Sequence, residues 1–281
     1  INSKITYFFR GAVENNYEYF AGLYWRIIRI NEDSSIRLIY QGINYNTMGT
    51  DATIGTGTFN SETIGDNAYV GYMYGAAGSN TYTLTHANTN GSVIKEKLDT
   101  WYQNNLLSYS RYIADSGFCG DRSIAEEPGT WVSYDTALGY AKNETYYGPY
   151  NRVENDARHP LFECPQKNDW FTLKGNTQGN EALNYPIGLL SLDEIVYAGG
   201  SYSIENTSYY LYTEDYYWTM SPYEFNGNGS YVGVVSYNGA ITRISVDSPT
   251  RGIRPVINLK SDVAIISGNG TSSNPYVVKT N

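Results

Sequence analysis

LYWRIIRINEDSSIRLIY, Leu23 to Tyr40, sets two runs of β-branched and aromatic residues around a polar cluster, Asn31 to Ser35. Such runs read as strands, and the cluster between them reads as a turn. Strict alternation would point Trp25 and Ile27 to one face and Tyr24, Arg26, Ile28 and Ile30 to the other. Arginines among strong strand formers imply that one face is only partly buried.

Working outward, the chain after Gly200 repeats this pattern to its end. YYLYT, DYYWTM, YVGVVSY, AITRIS and RPVINL are short alternating runs separated by turn residues. YVGVVSYNGAITRI reads as a hairpin, and Asn238-Gly239 predicts a type I′ turn. Alternation along DYYWTM predicts Tyr216, Trp218 and Met220 inward and Tyr217 outward. Two helices are expected. SVIKEKLDTWYQNNLL places Ile94, Leu98, Trp101 and Tyr102 on one stripe, with Lys95, Glu96 and Asp99 opposite. In SLDEIVYAGG, Ser191 and Glu194 form a capping box, Leu192, Ile195 and Val196 the apolar side, and Gly199-Gly200 the stop. A third, weaker helical pattern lies in SYDTALGYAK. Residues 44 to 91 are dense in Gly, Asn and Thr and read as a long loop.

Composition narrows the partners. The chain has 281 residues, a net charge of −9 and 17% charged residues. Without a basic face, the composition disfavours nucleic acid and anionic membrane surfaces as partners. No apolar run is long enough to span a bilayer, and the opening INSKITYFFRG is not a signal peptide, as expected for an excised or mature segment. Tyrosine is in excess, 30 against 8 Phe and 5 Trp. Tyr with Ser, Gly and Asn is the palette of adaptable recognition surfaces, though it also suits half-exposed strands.

Two cysteines, Cys119 and Cys164, and two histidines, His86 and His159, match no metal or redox motif, so no metal and no cofactor are expected. The cysteines are either one disulfide or two buried thiols. An exported chain favours the disulfide. Paired carboxylates at Glu126-Glu127, Asp193-Glu194 and Glu214-Asp215 raise a glycosidase, but adjacency does not set two carboxyls roughly 5 to 10 Å apart across a cleft. GTGTFN and NGNGSY lack P-loop spacing and read as turns.

The ordered set YWRIIRI, SIRLIY, IKEKLDTWY, LLSLDEI, YYWTMSP and GIRPVINL resembles a module of gut Firmicutes surface proteins. That module has the C-type-lectin-like fold shared by relatives of formylglycine-generating enzymes and by variable proteins of diversity-generating retroelements. The most specific pieces are Trp218 to Pro222 and Gly252 to Pro255. The resemblance implies an α+β fold, a twisted antiparallel sheet that joins the two chain ends, two packed helices and long irregular loops. It places the domain at 1–260, with 261–281 a C-terminal β extension or a junction to a further module. It departs from the enzymes, since no cysteine follows Cys164. It departs from calcium-dependent lectins too, because Glu127-Pro128-Gly129 and Asn168-Asp169-Trp170 only echo their motifs.

The implied function is extracellular recognition or adhesion at a bacterial cell surface, without catalysis, with a glycan or a surface protein as partner. A spacer module and a carbohydrate-active enzyme are the alternatives. The ligand surface is expected between the two specific motifs, as one exposed patch of Tyr217, Tyr223, Phe225, Asn226, Asn228, Tyr231, Tyr237, Asn238 and Arg243. Trp218 and Arg254 brace it from beneath, Arg254 as a buried arginine bonding backbone carbonyls.

Overall fold

The computed structural model describes residues 5–60, 64–125, 138–155 and 159–280. Glu126-Glu127, Pro128-Gly129 and the first half of the SYDTALGYAK pattern lie outside the described residues. Its second half, 138–142, forms turns.

The chain is α+β, mostly sheet with a few short helices. Strands β1 (Tyr7–Phe8), β2 (Tyr17–Phe20), β3 (Leu23–Ile30) and β4 (Ile36–Gly42) open it. Helix α1 (Val93–Asn105) follows, then the short β5 (Phe118–Cys119) and β6 (Trp170–Phe171), then α2 (Leu192–Ala198). The chain closes through β7 (Tyr217–Phe225), β8 (Ser230–Val235), β9 (Ile241–Ser245), β10 (Val256–Leu259), β11 (Ile265–Ser267) and β12 (Tyr276–Val278).

Among the described residues a seven-stranded sheet runs β10-β4-β3-β2-β12-β11, with β1 added beside β3. The N-terminal β3 and the late β10 therefore share one sheet, as expected. Most neighbours are antiparallel, while β12 runs parallel to β2. A second, six-stranded sheet is built on β9-β8-β7 and completed by the short pairs Arg251–Gly252, Thr56–Gly57 and Thr145–Tyr146.

Helix α1 lies on the first sheet. Ile94 and Leu98 are fully buried, and Trp101 meets Trp25 at 6.3 Å and Tyr40 at 5.6 Å, edge to face. Lys95, expected on the polar face, is buried and paired with Asp99 at 2.6 Å, its stem covering apolar surface. Helix α2 joins the two sheets. Its capping box forms as expected and Gly199 ends it at φ 118°. Leu192 packs on Gly233 of β8, where a Cβ would sit 2.5 Å away, and Glu194 reaches Arg29 and Arg37 on the first sheet.

Several local expectations are corrected. Register shifts at Tyr24/Trp25 and Ile27/Arg29 break strict alternation in β3, so Trp25, Arg26 and Ile28 are all buried. Tyr209 to Thr213 forms turns rather than a strand. There the Leu211 carbonyl is satisfied by Arg254 and the Tyr217 hydroxyl instead of a ladder. The β8–β9 turn is not type I′. Gly239 alone has positive φ there, and its N–H donates to Ser236 O, a three-residue loop with a glycine bulge. The Asn31–Ser35 turn has the same build, with Ser34 at φ 67°.

Candidate functional site

The expected ligand patch does not form as one surface. All nine residues of β7 are buried, because the strand is covered on both faces and so loses the alternation of a half-exposed strand. Tyr217, at 1% exposure, donates to Leu211 O beneath the Arg254 guanidinium, so the outward placement predicted for it is wrong. Tyr223 and Phe225, at 0% and 1%, cannot be displayed either. Burial and the Glu154 carboxylate that accepts from its hydroxyl push Tyr223 well above the usual phenol range.

The remaining residues divide between the two ends of the hairpin. Asn226, Asn228, Tyr231 and Arg243 gather at one end, where Arg243 bonds Glu224 at 2.6 Å and lies over the Tyr223 and Tyr231 rings. Tyr237 and Asn238 sit at the other, roughly 20 Å away along β8. There Tyr237 packs against Tyr216 at 5.6 Å. Trp218 and Arg254 are buried as structural residues, but no exposed patch lies above them to brace. Trp218 donates to Gly57 O, and Arg254 donates to Tyr40 O, Leu211 O and Gln41 Oε1.

A better formed concavity lies elsewhere, beside the Cys119–Cys164 disulfide. It is a cleft of about 390 Å³ whose walls come from five separate segments. The Asn31–Ser35 turn supplies Asn31, Glu32 and Asp33, while the approach to β5 supplies Asp115 and Ser116. The disulfide ties the segment of Phe162 and Glu163 to β5, and β6 with its following loop brings Trp170, Asn176 and Gln178. Arg29 of β3 completes the lining.

Each wall is held by identifiable bonds. Asp33 accepts from Ser35 N–H at 2.9 Å, from Ser35 Oγ at 2.6 Å and from Ser116 Oγ at 2.6 Å. Burial pushes the Asp33 carboxyl up, but these hydrogen bonds win and hold it below the usual range. Asp115 Oδ2 accepts from Leu173 N–H at 3.0 Å and Asn176 Nδ2 at 2.8 Å. Here burial outweighs the bonds and the carboxyl is raised. The Trp170 indole lies against Gly117, where a Cβ would fall 1.7 Å from its Nε1. With φ +76° as well, that position requires glycine.

Beneath the cleft, Glu194 binds Arg37 at 2.5 Å and Arg29 at 3.2 Å. Burial lowers the Arg37 guanidinium to about 10, while Glu194 is held low against its own burial by both arginines and by Ser191 N–H. At the rim, Phe162 stacks on Tyr197 at 3.8 Å, with Phe8 at 5.6 Å and the Arg29 guanidinium at 4.7 Å from the Phe162 ring. Asp169, from the lectin-motif echo, is fully buried and spent on Arg122 at 2.5 Å. Among the described residues no group of three or more His, Cys, Asp or Glu is placed to hold a metal ion.

Sequence reasoning missed the cleft because its residues are scattered over about 150 positions. The signal that could have found it was the expected disulfide, which joins GFCG to FECPQK and so draws Ser116, Glu163 and Trp170 together. Comparison of the chain with protein-family models, with curated proteins and with solved structures finds no match.

Proposed function

We propose that this chain is an extracellular recognition module of a bacterial surface protein, lectin-like in fold, that binds a glycan without catalysis in the cleft beside Cys119–Cys164. The observation that carries the reading is the cleft's composition. Trp170 and Phe162 line the same space as Asp33, Asp115, Glu163, Asn176 and Gln178. A sugar ring has an apolar C–H face and a rim of hydroxyls. Aromatic planes suit the first, and short carboxylates and amides suit the second. A disulfide fits an oxidising compartment, and no helix among the described residues is long and apolar enough to cross a membrane. The lectin-like assignment draws on the ordered motifs and on the chain ends meeting in one sheet.

The spacer alternative calls for no concave aromatic surface, and the cleft counts against it. A hydrolytic reading has one observation in its favour, since Asp115 is raised and Asp33 lowered within one cleft, the separation expected of an acid and a base. Binding is preferred because both Asp33 oxygens are already engaged by Ser35 and Ser116.

The test is a glycan array followed by titration of the strongest binder. Trp170→Ala is expected to weaken binding about tenfold or more, measured at a temperature where circular dichroism shows the variant still folded. Mass spectrometry of the same mixtures reads hydrolysis. No bound glycan, equal binding by the variant, or cleavage of the ligand contradicts the proposal.

A further inference from the structure

Away from the cleft, the fold leaves two opposite charges without partners. Among the described residues Arg251 is the one arginine that bonds neither a carboxylate nor a carbonyl. Arg29, Arg37, Arg122, Arg152 and Arg243 each hold an acidic residue, and Arg10, Arg26, Arg111 and Arg254 donate to backbone carbonyls. Arg251 is fixed through its backbone, which pairs with Gly57, and its guanidinium lies over the Tyr216 ring at 4.4 Å. Its Nε is buried without an acceptor, and its terminal nitrogens reach the surface unbonded. Two residues before Tyr216, Glu214 is exposed at φ 66°, and its carboxylate has no ion pair or hydrogen bond among the described residues.

Exposed apolar side chains border these charges. Tyr237, 58% exposed in the β8–β9 loop, leans on Tyr216 at 5.6 Å. Ile204, 47% exposed, belongs to a segment tied to that loop, with Ser203 N–H donating to Ile241 O and Asn206 N–H to Asn238 O. Met48, 38% exposed, adjoins Gly49, whose N–H donates to Thr213 O beside Glu214. Strand β4 separates this face from the cleft. It begins after the Asn31–Ser35 turn in the cleft wall and ends at Gly42, whose following loop carries Met48, so the two lie roughly 20 Å apart.

We infer that this face is the contact between two copies of the chain related by a two-fold axis. An isologous contact sets the same patch against itself, so the patch must be its own complement. One free cation beside one free anion meets that condition, because Arg251 of one copy then faces Glu214 of the other, and the reverse. Tyr216 holds the guanidinium flat beforehand, so pairing orders little, and Tyr237, Ile204 and Met48 supply apolar area around the ion pairs. An unrelated acidic partner would satisfy Arg251 but set like charge against Glu214, which is what favours a second copy. The net charge of −9 on each copy opposes association, so the dimer is a weak one that forms at high local concentration. Both clefts stay open, which makes the dimer bivalent whatever the cleft binds.

The experiment is analytical ultracentrifugation over a micromolar to millimolar concentration series. Wild type is expected to pass from monomer to dimer as concentration rises. Arg251→Glu puts two like-charge pairs into the two-fold contact, and so does Glu214→Arg, so each alone should weaken association about tenfold or more. An equimolar mixture of the two variants should recover it as a heterodimer, since each copy then carries the charge the other lacks. Circular dichroism establishes that each variant is folded. The exposed Tyr237→Ser gives a third variant, unchanged in charge, that should also weaken the dimer and that decides the matter if a charge variant fails to fold. Three results overturn the inference: wild type that stays monomeric, a folded variant that dimerises as wild type does, or a mixture no more associated than its components. The glycan-binding reading is untouched by any of them.

Discussion

Glu18 offers a sharp physical test of the fold. It sits in β2, opposite Trp25 of β3 on one side and Tyr276 of β12 on the other. It is fully buried, and both carboxylate oxygens lack a hydrogen-bond partner among the described residues. Burial alone raises its pKa from 4.5 to about 8. The folded state therefore holds this proton more tightly than the unfolded chain does. Glu18's contribution to stability is fully present below about pH 4.5, is lost progressively as pH rises to about 8, and is flat above that. At 1.36 kcal/mol per pH unit the loss reaches about 5 kcal/mol, of which about 3 has accrued by pH 7. Glu18→Gln has no proton to lose and is close in shape. Urea unfolding of both proteins at pH values of about 4, 5.5, 7 and 8.5 should give curves that separate with pH, the variant gaining to about 5 kcal/mol at the highest value. A difference that stays constant with pH would refute the reasoning, because it would mean the carboxyl is solvated or paired in solution.

Three further outcomes follow from the same structure. Cys119→Ser with Cys164→Ser opens a loop of 45 residues, which should cost about 4 kcal/mol in chemical denaturation. It should also weaken glycan binding, since Phe162 and Glu163 lose their tether. Glu194→Gln leaves the buried Arg37 and Arg29 without a counter-charge and should cost about 3–5 kcal/mol at neutral pH. Because Glu194 is held low in the fold, its contribution is present above the ordinary carboxylate pKa and fades as pH falls through the folded value. The gap between wild type and variant should therefore close in acid. Gly117→Ala should lower the melting temperature and move the Trp170 fluorescence, as the new methyl needs the space of the indole and a residue other than glycine is strained at φ +76°.

Legibility from sequence followed the range of the interaction involved. The Leu23–Tyr40 hairpin, α1 and the Ser191–Glu194 capping box were readable because period, turn residues and caps are local. The disulfide was readable from cysteine number and compartment. The orientation of Tyr217 was not, since alternation predicts a face only where one side of the sheet is solvated, and β7 is covered on both. Glu194 was legible as a cap and illegible as the counter-ion of Arg29 and Arg37, which lie more than 150 positions earlier. The tyrosine-rich C-terminal segment drew the site assignment by composition. Much of that composition turned out to be buried structure, with Tyr217 bonding Leu211 and Tyr223 bonding Glu154.

The central claim is that the ligand surface is the cleft and not the hairpin. Chemical-shift mapping with the best-binding oligosaccharide tests it most directly, because every backbone amide and the Trp170 indole N–H report at once. The account predicts saturable shifts at Trp170, Asn31, Asp115, Asn176 and Gln178, with Asn226, Tyr231, Tyr237 and Arg243 unchanged. Shifts confined to the hairpin residues, with the Trp170 indole unmoved, would contradict it.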